Sequence, residues 1–228
     1  MMDDLDRLSR RLGYRFQDPS LFELALSHRS VSRRRNNERL EFLGDAQLSQ
    51  IISTELFHRF PDAAEGQLTR MRAFLVRGQT LAEVARELGV GEYLILGGGE
   101  LKSGGHRRDS ILADALEALI GAIVIDGGED TCRRVILEWF AERLEHISPQ
   151  SVRKDAKTRL QEWLQARKHE LPAYDVLSVT GQAPRQTFEV ECTLPDLNQR
   201  FVATGASRRR SEQQAAEQAL SWLEQSHE

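Results

Sequence analysis

At 228 residues the chain exceeds an ordinary single domain and fits one domain of common size plus a smaller one. With 40% hydrophobic and 29% charged residues the composition is that of a soluble globular protein; no apolar run nears the ~20 residues of a membrane helix, and the opening MMDDLDRLSRRLG lacks a signal-peptide core, so a cytoplasmic protein is expected. The net charge of −4 does not exclude a nucleic-acid partner, because phosphate contacts depend on local clusters such as Arg33 to Arg35, Lys102 with Arg107 and Arg108, and Arg208 to Arg210.

Asp18 and Pro19 have the form of an N-cap and first helical position ahead of LFELALSHRS. Apolar residues at three- and four-residue spacing then predict helices over 38–58, 65–77, 79–88, 110–125 and 129–146, with Gly89 as a stop signal. The stretch GGGELKSGGHRR (97–108) reads as a loop and lacks the Lys-Ser/Thr ending of a phosphate-cradling turn. Residues 1–147 are thus expected to form an all-α domain. Polar, aperiodic SPQSVRK supplies a linker over 148–154, and a second domain is expected over 155–228. There a helix carrying Leu160, Trp163 and Leu164 precedes strand-like segments. In the clearest, Phe188, Val190, Cys192 and Leu194 alternate with Glu189, Glu191 and Thr193. A strand near 200–204 leads through Gly205 into a helix with Ala215, Ala216, Ala219, Leu220 and Leu223 on its apolar side. The order is α-β-β-β-α, an α+β arrangement. Cys132 and Cys192 lack the Cys or His companions of a zinc site and read as reduced structural residues.

Segment NERLEFLGDAQL places Glu38, Glu41 and Asp45 on one helical face. The helix SILADALEALIGAIVI is apolar almost all round, hence buried, yet carries Asp114 and Glu117 three apart. Ionised carboxylates cost several kcal/mol each to desolvate, so buried ones need cations. No Lys or Arg lies between Asp109 and Arg133, leaving neutralisation to other parts of the fold or to a bound metal; an all-oxygen site suits Mg2+ or Mn2+. Spacing alone leaves ordinary exposed acids as the alternative for Glu38 and Glu41.

NERLEFLGDA (37–46), GELKSGG (99–105) and ADALEALIGA (113–122) together resemble the bacterial ribonuclease III family, and the second half resembles a double-stranded-RNA-binding domain, so the likeness covers nearly the whole chain. The resemblance implies a multidomain protein: an all-α ribonuclease III-type endonuclease domain followed by an α+β double-stranded-RNA-binding domain. It implies an endoribonuclease that hydrolyses double-stranded RNA by magnesium-activated water, with Mn2+ as a substitute. The products would carry 5′-phosphates, 3′-hydroxyls and two-nucleotide 3′ overhangs, and the substrates would be ribosomal RNA precursors, messenger RNAs and other structured transcripts. It also implies a homodimer whose contact face comes from the helices around Glu38 to Leu48 and Glu65 to Arg77. Glu41, Asp45, Asp114 and Glu117 are the implied metal ligands, Asp45 and Glu117 the implied catalytic residues, and Glu38 and Glu65 the implied auxiliary acids of the active-site valley. The implied RNA contacts are Thr158, Gln161 and Glu162 on a helix, Gln182 and Pro184 in the GQAP turn, and Arg208, Arg209 and Arg210 at the start of the last helix. Pro184 stands where the family often has His, and Arg210 where Lys is common. His28, in LSHRS, is read as structural and given no chemistry. Among rival readings, a non-catalytic duplex-RNA binder would have no use for an acidic pocket beside a polyanion. An all-helical nucleotide pyrophosphohydrolase would have no use for the second domain.

Overall fold

The computed structural model describes residues 2–152, 155–183 and 185–226. The chain divides into two compact units, Met1–Arg153 and Lys154–Glu228.

The first unit is all-helical. It comprises α1 (Met2–Leu12), α2 (Pro19–Leu26), α3 (Glu38–Arg59), α4 (Glu65–Val76), α5 (Gly78–Glu87), the short α6 (Gly98–Lys102), α7 (Asp109–Trp139) and α8 (Ala141–His146). Helix α1 was not foreseen, although Leu5, Leu8 and Leu12 carry the required spacing and the last two are fully buried. Helix α2 begins as expected: Pro19 occupies its first turn and the Asp18 carboxylate accepts the Ser20 N–H. Two expectations are corrected. Residues 97–108 are not a plain loop but hold α6 and a 3-10 turn, Gly105–Arg107. The break expected between helices 110–125 and 129–146 falls at Gly128, whose φ of 80° and ψ of 172° are non-helical, but the second of these helices ends near Phe140, with the short α8 taking the chain on to His146, rather than running unbroken to 146. At that break the Asp126 carboxylate accepts the Tyr14 hydroxyl (2.5 Å) and the Gln17 and Asp18 N–H groups (2.7 and 2.9 Å), tying the segment before α2 to α7.

Helices α3 and α7 form the principal interface of this unit. A Cβ added at Gly44 would collide with the Glu117 carbonyl oxygen, and one at Gly121 with that of Leu40, so the two backbones approach as closely as glycine permits. Their flanks bury Leu40, Leu48, Ile52, Leu116, Leu119, Ile120 and Ile123. Cys132 is fully buried, a free thiol over the Ile120 carbonyl, and burial pushes its pKa up to about 12. Residues 148–152, expected as linker, make hydrogen-bonded turns, and Val152 packs on this core; Arg153 and Lys154 lie outside the described residues.

In the second unit α9 (Ala156–Ala166) precedes β1 (Ala173–Thr180), β2 (Thr187–Leu194), β3 (Gln199–Gly205) and α10 (Arg208–Ser226). The strands form one antiparallel sheet in the order β1-β2-β3, with Val190 opposite Val176 and Ala203, and Cys192 opposite Tyr174 and Phe201. Period-two alternation turns Val190, Cys192 and Leu194 inward, and Cys192 and Leu194 join Leu160, Leu164, Ala215, Ala216, Ala219, Leu220 and Leu223 in a second core. Cys192 is likewise free and buried. The α-β-β-β-α order is therefore the one read from the sequence. Asp155 is the N-cap of α9, its carboxylate accepting the Thr158 N–H. Among the described residues no helix is long and apolar enough to cross a membrane.

Candidate active site

Helices α3 and α7 bring acids from two stretches of sequence to one place. Glu41 from α3 and Asp114 and Glu117 from α7 each offer a carboxylate oxygen, and these three atoms lie within 4.8 Å of one another. All three residues are half-buried, and no ion pair joins any of them to a basic side chain among the described residues. Burial raises the proton affinity of all three groups, and neighbouring acids add to it at Glu117 and Glu41. Glu117 is pushed up to about 8, by burial first and then by the charges of Asp45, Glu41 and Asp114. Glu41 is raised by burial and by Asp114 and Glu38, with Arg29 opposing; Asp114 is raised by burial, with His28 and Arg29 opposing. Asp45 is exposed one turn beyond Glu41; it stands outside the 4.8 Å set yet contributes the largest charge effect on Glu117.

A cleft of about 410 Å³ opens beside this cluster, lined by His28, Arg29, Ser30, Asn37, Glu38, Glu41, Glu100, Arg108, Ser110, Ile111 and Asp114. Two of its acids are paired: Glu38 with Arg29 (3.5 Å) and Glu100 with Arg108 (2.6 Å). Glu41 and Asp114 are left as the acids without basic partners, which is the condition a divalent cation would relieve. The donor set is all oxygen, half-buried and over-supplied with negative charge, so the residues present fit a hard divalent ion. Glu65 stands apart from this cleft, exposed at the start of α4, where its carboxylate accepts the Thr69 hydroxyl (2.7 Å). The sequence reading gave no part to Arg29 or Glu100, and placed Arg108 only in a basic cluster with Lys102 and Arg107. Their only signal was the charged loop 97–108 and the cation after His28, and they reach the cleft through long-range folding. The Ser27–Ile95 bridge joins the end of α2 to the segment leading into α6.

In the second unit, the starts of α9 and α10 meet at Asp155. Its carboxylate accepts Thr158 Oγ1 (2.8 Å) and Gln213 Nε2 (2.7 Å). Burial alone would raise the Asp155 pKa, but these hydrogen bonds outweigh it and hold the carboxyl below its usual range. The Thr158 hydroxyl is thus engaged in the cap, while Gln161 and Glu162 are exposed on α9. Arg208, Arg209 and Arg210 are exposed on the first turn of α10. Glu212 joins Arg208 (2.8 Å) to Lys157 of α9 (2.6 Å), a cation the sequence reading overlooked. Gln182 is exposed in the turn between β1 and β2, and Pro184 lies outside the described residues.

Residues 18–144 match the family described as ribonuclease-III-like, and residues 156–223 match the double-stranded RNA binding motif. The chain is 72% identical over its full length, and the full length of the relative, to a protein named Ribonuclease 3 from Alcanivorax borkumensis. It is 58% identical to a protein of the same name from a Marinomonas species, covering 96% of each chain. The nuclease domain of ribonuclease III from Campylobacter jejuni superposes with a TM-score of 0.60 at 40% identity, covering 60% of this chain and 96% of that one; structural flexibility is described in its dimer-forming region.

Proposed function

The chain belongs to the ribonuclease III family of double-stranded-RNA endoribonucleases, and on that premise we propose that the α3–α7 acid cluster is its active site and that Mg2+ is the divalent ion it uses. The observation that carries this reading is the mutual approach of Glu41, Asp114 and Glu117, none of them ion-paired to a basic side chain among the described residues. Mg2+ held there, with Mn2+ as a substitute, would supply an activated water for attack on a phosphodiester and neutralise the charge developing on the leaving oxygen. The chain's own residues supply the rest. Glu41, Asp114 and Glu117 hold the ion, and Asp45, whose charge raises the proton affinity of Glu117, completes the ligand group. Arg29 occupies Glu38, and Arg108 occupies Glu100, so the rim acids repel an incoming polyanion less than their number suggests. Glu38 and Glu65 act at the margins of the valley. Cleavage leaves 5′-phosphates, 3′-hydroxyls and two-nucleotide 3′ overhangs on ribosomal RNA precursors and other structured transcripts in the cytoplasm.

Homodimerisation pairs two such sites. It is supported by Phe42 and Phe57 on α3 and Phe74 on α4, which are 80%, 65% and 39% exposed, an apolar content that a monomer would leave in water. In the second unit Thr158, Gln161, Glu162, Gln182 and Pro184 address the wide minor groove of A-form RNA. Arg208, Arg209 and Arg210 grip phosphates at a helix start, where backbone N–H groups also favour anions.

Glu117→Gln removes a charged ligand with little change of shape. Incubated with long duplex RNA and Mg2+, this variant is expected to lose cleavage by at least roughly 1,000-fold while binding the duplex as before. Cleavage at the wild-type rate would overturn the site assignment.

A further inference from the structure

One wall of the cleft is built from a single short turn. The Ser30 backbone N–H points at His28 Nδ1 (3.2 Å), and the Ser30 hydroxyl lies 2.8 Å from the same nitrogen. A backbone N–H can only donate, so Nδ1 must be the unprotonated acceptor, and the neutral ring then carries its proton on Nε2. The hydroxyl is itself placed by the Gly97 N–H, which donates to Ser30 Oγ (2.8 Å). Backbone hydrogen bonds secure the start of the same turn: His28 N–H to the Ile95 carbonyl (3.0 Å) and Ile95 N–H to the Leu26 carbonyl (2.9 Å). The imidazole is thus half-buried with its tautomer and one nitrogen fixed, and Nε2 has no hydrogen-bond partner among the described residues. His28 and Asp114 line the same cleft. A donor held at fixed orientation on a residue lining an acid cleft, and without a partner among the described residues, calls for an acceptor from the substrate.

We propose that His28 is a substrate-contacting residue whose Nε2–H donates to a phosphate oxygen of the RNA strand lying in the cleft, with Ser30 and Gly97 fixing the tautomer that makes this possible. The inference rests on the active-site reading above and deepens it. Arg29 and Ser30, adjacent on the same wall, make this the donor side of the cleft and the α3–α7 acids its ion-holding side. The Nε2–H adds a directed hydrogen bond to phosphate from the wall that also carries Arg29.

Two amide substitutions separate this role from a scaffolding one. His28→Asn can offer its carbonyl oxygen to Ser30 where Nδ1 stood but places no donor at the Nε2 position. His28→Gln reaches the Nε2 position with its amide N–H. The measurement is the single-turnover cleavage rate of a long duplex RNA at saturating protein and Mg2+, with duplex affinity and melting temperature recorded for the same full-length samples. Expected is a roughly 10- to 100-fold slower rate for His28→Asn, recovery by His28→Gln to within about fivefold of wild type, and unchanged duplex affinity. His28→Asn cleaving as fast as His28→Gln, whether both are active or both impaired, would overturn the proposal and leave His28 as part of the turn's scaffold. Wild-type protein and Glu117→Gln run alongside keep the two readings apart, because equal cleavage by those two would remove the active site itself rather than the role of His28.

Discussion

Glu117 combines burial with three acidic neighbours, and the consequence is measurable without RNA. Its carboxyl titrates near 4.5 when the chain is unfolded and about 8 when folded, so the folded state holds that proton more tightly. Stability of the metal-free protein should be greatest below about pH 4.5 as far as this group is concerned, and should fall as pH climbs toward 8. The loss is on the order of 2 kcal/mol once solvent access to a half-buried site is allowed for. Thermal melts of metal-free protein across that range should show the decline, and Glu117→Gln should flatten it, melting higher than wild type at pH 8 although it cannot cut. Added Mg2+ should oppose the decline in wild type, since the ion displaces the proton, and the Mg2+ concentration for half-maximal cleavage should fall as pH rises from about 6 to 8. A pH-independent Mg2+ requirement would contradict the clustering of these acids. The acids were legible in the sequence because three- and seven-residue spacings put Glu38, Glu41 and Asp45 on one face. Arg29, Glu100 and Arg108 were not, because nothing local says that the end of α2 and the segment around α6 fold onto the same cleft.

At the scale of elements, the site is a product of one helix crossing. Gly44 lies between Glu41 and Asp45 on α3, and its α carbon sits against the backbone of Glu117 on α7. Gly44→Ala must therefore push the helices apart where Glu41 and Glu117 approach each other. We expect a loss of about 1–3 kcal/mol from overpacking, read as a lower melting temperature, together with a rise in the Mg2+ needed for cleavage. Loss of stability with unchanged Mg2+ dependence would mean that the crossing does not set the ligand spacing. The elements themselves were largely readable from period: the 3.6 repeat gave α3, α4 and α5 within a residue or two, and the strict alternation of Phe188 to Leu194 gave β2. The break between the helices at 110–125 and 129–146 was readable as well, and it falls at Gly128, whose φ is positive. Apolar periodicity failed at α6, whose glycines have poor helical propensity and which is fixed by contacts made elsewhere in the chain.

At the scale of the whole molecule, cutting and holding fall to different parts. With Arg209 in the proposed phosphate-gripping role, Arg209→Ala should weaken duplex binding evenly across sequences and reduce the slope of affinity against salt by about 1. A loss confined to one RNA sequence would argue against phosphate gripping. Phe42→Asp places a charge at an 80% exposed aromatic position on α3, so it should shift sedimentation from dimer to monomer with little change in monomer stability. Finally, each unit carries one cysteine, Cys132 in the first and Cys192 in the second, both free and wholly enclosed. Neither thiol can meet an alkylating reagent until its own core opens. Pulse alkylation under rising denaturant, read by mass at the two peptides, would therefore time the opening of each half of a single unlabelled chain on its own clock.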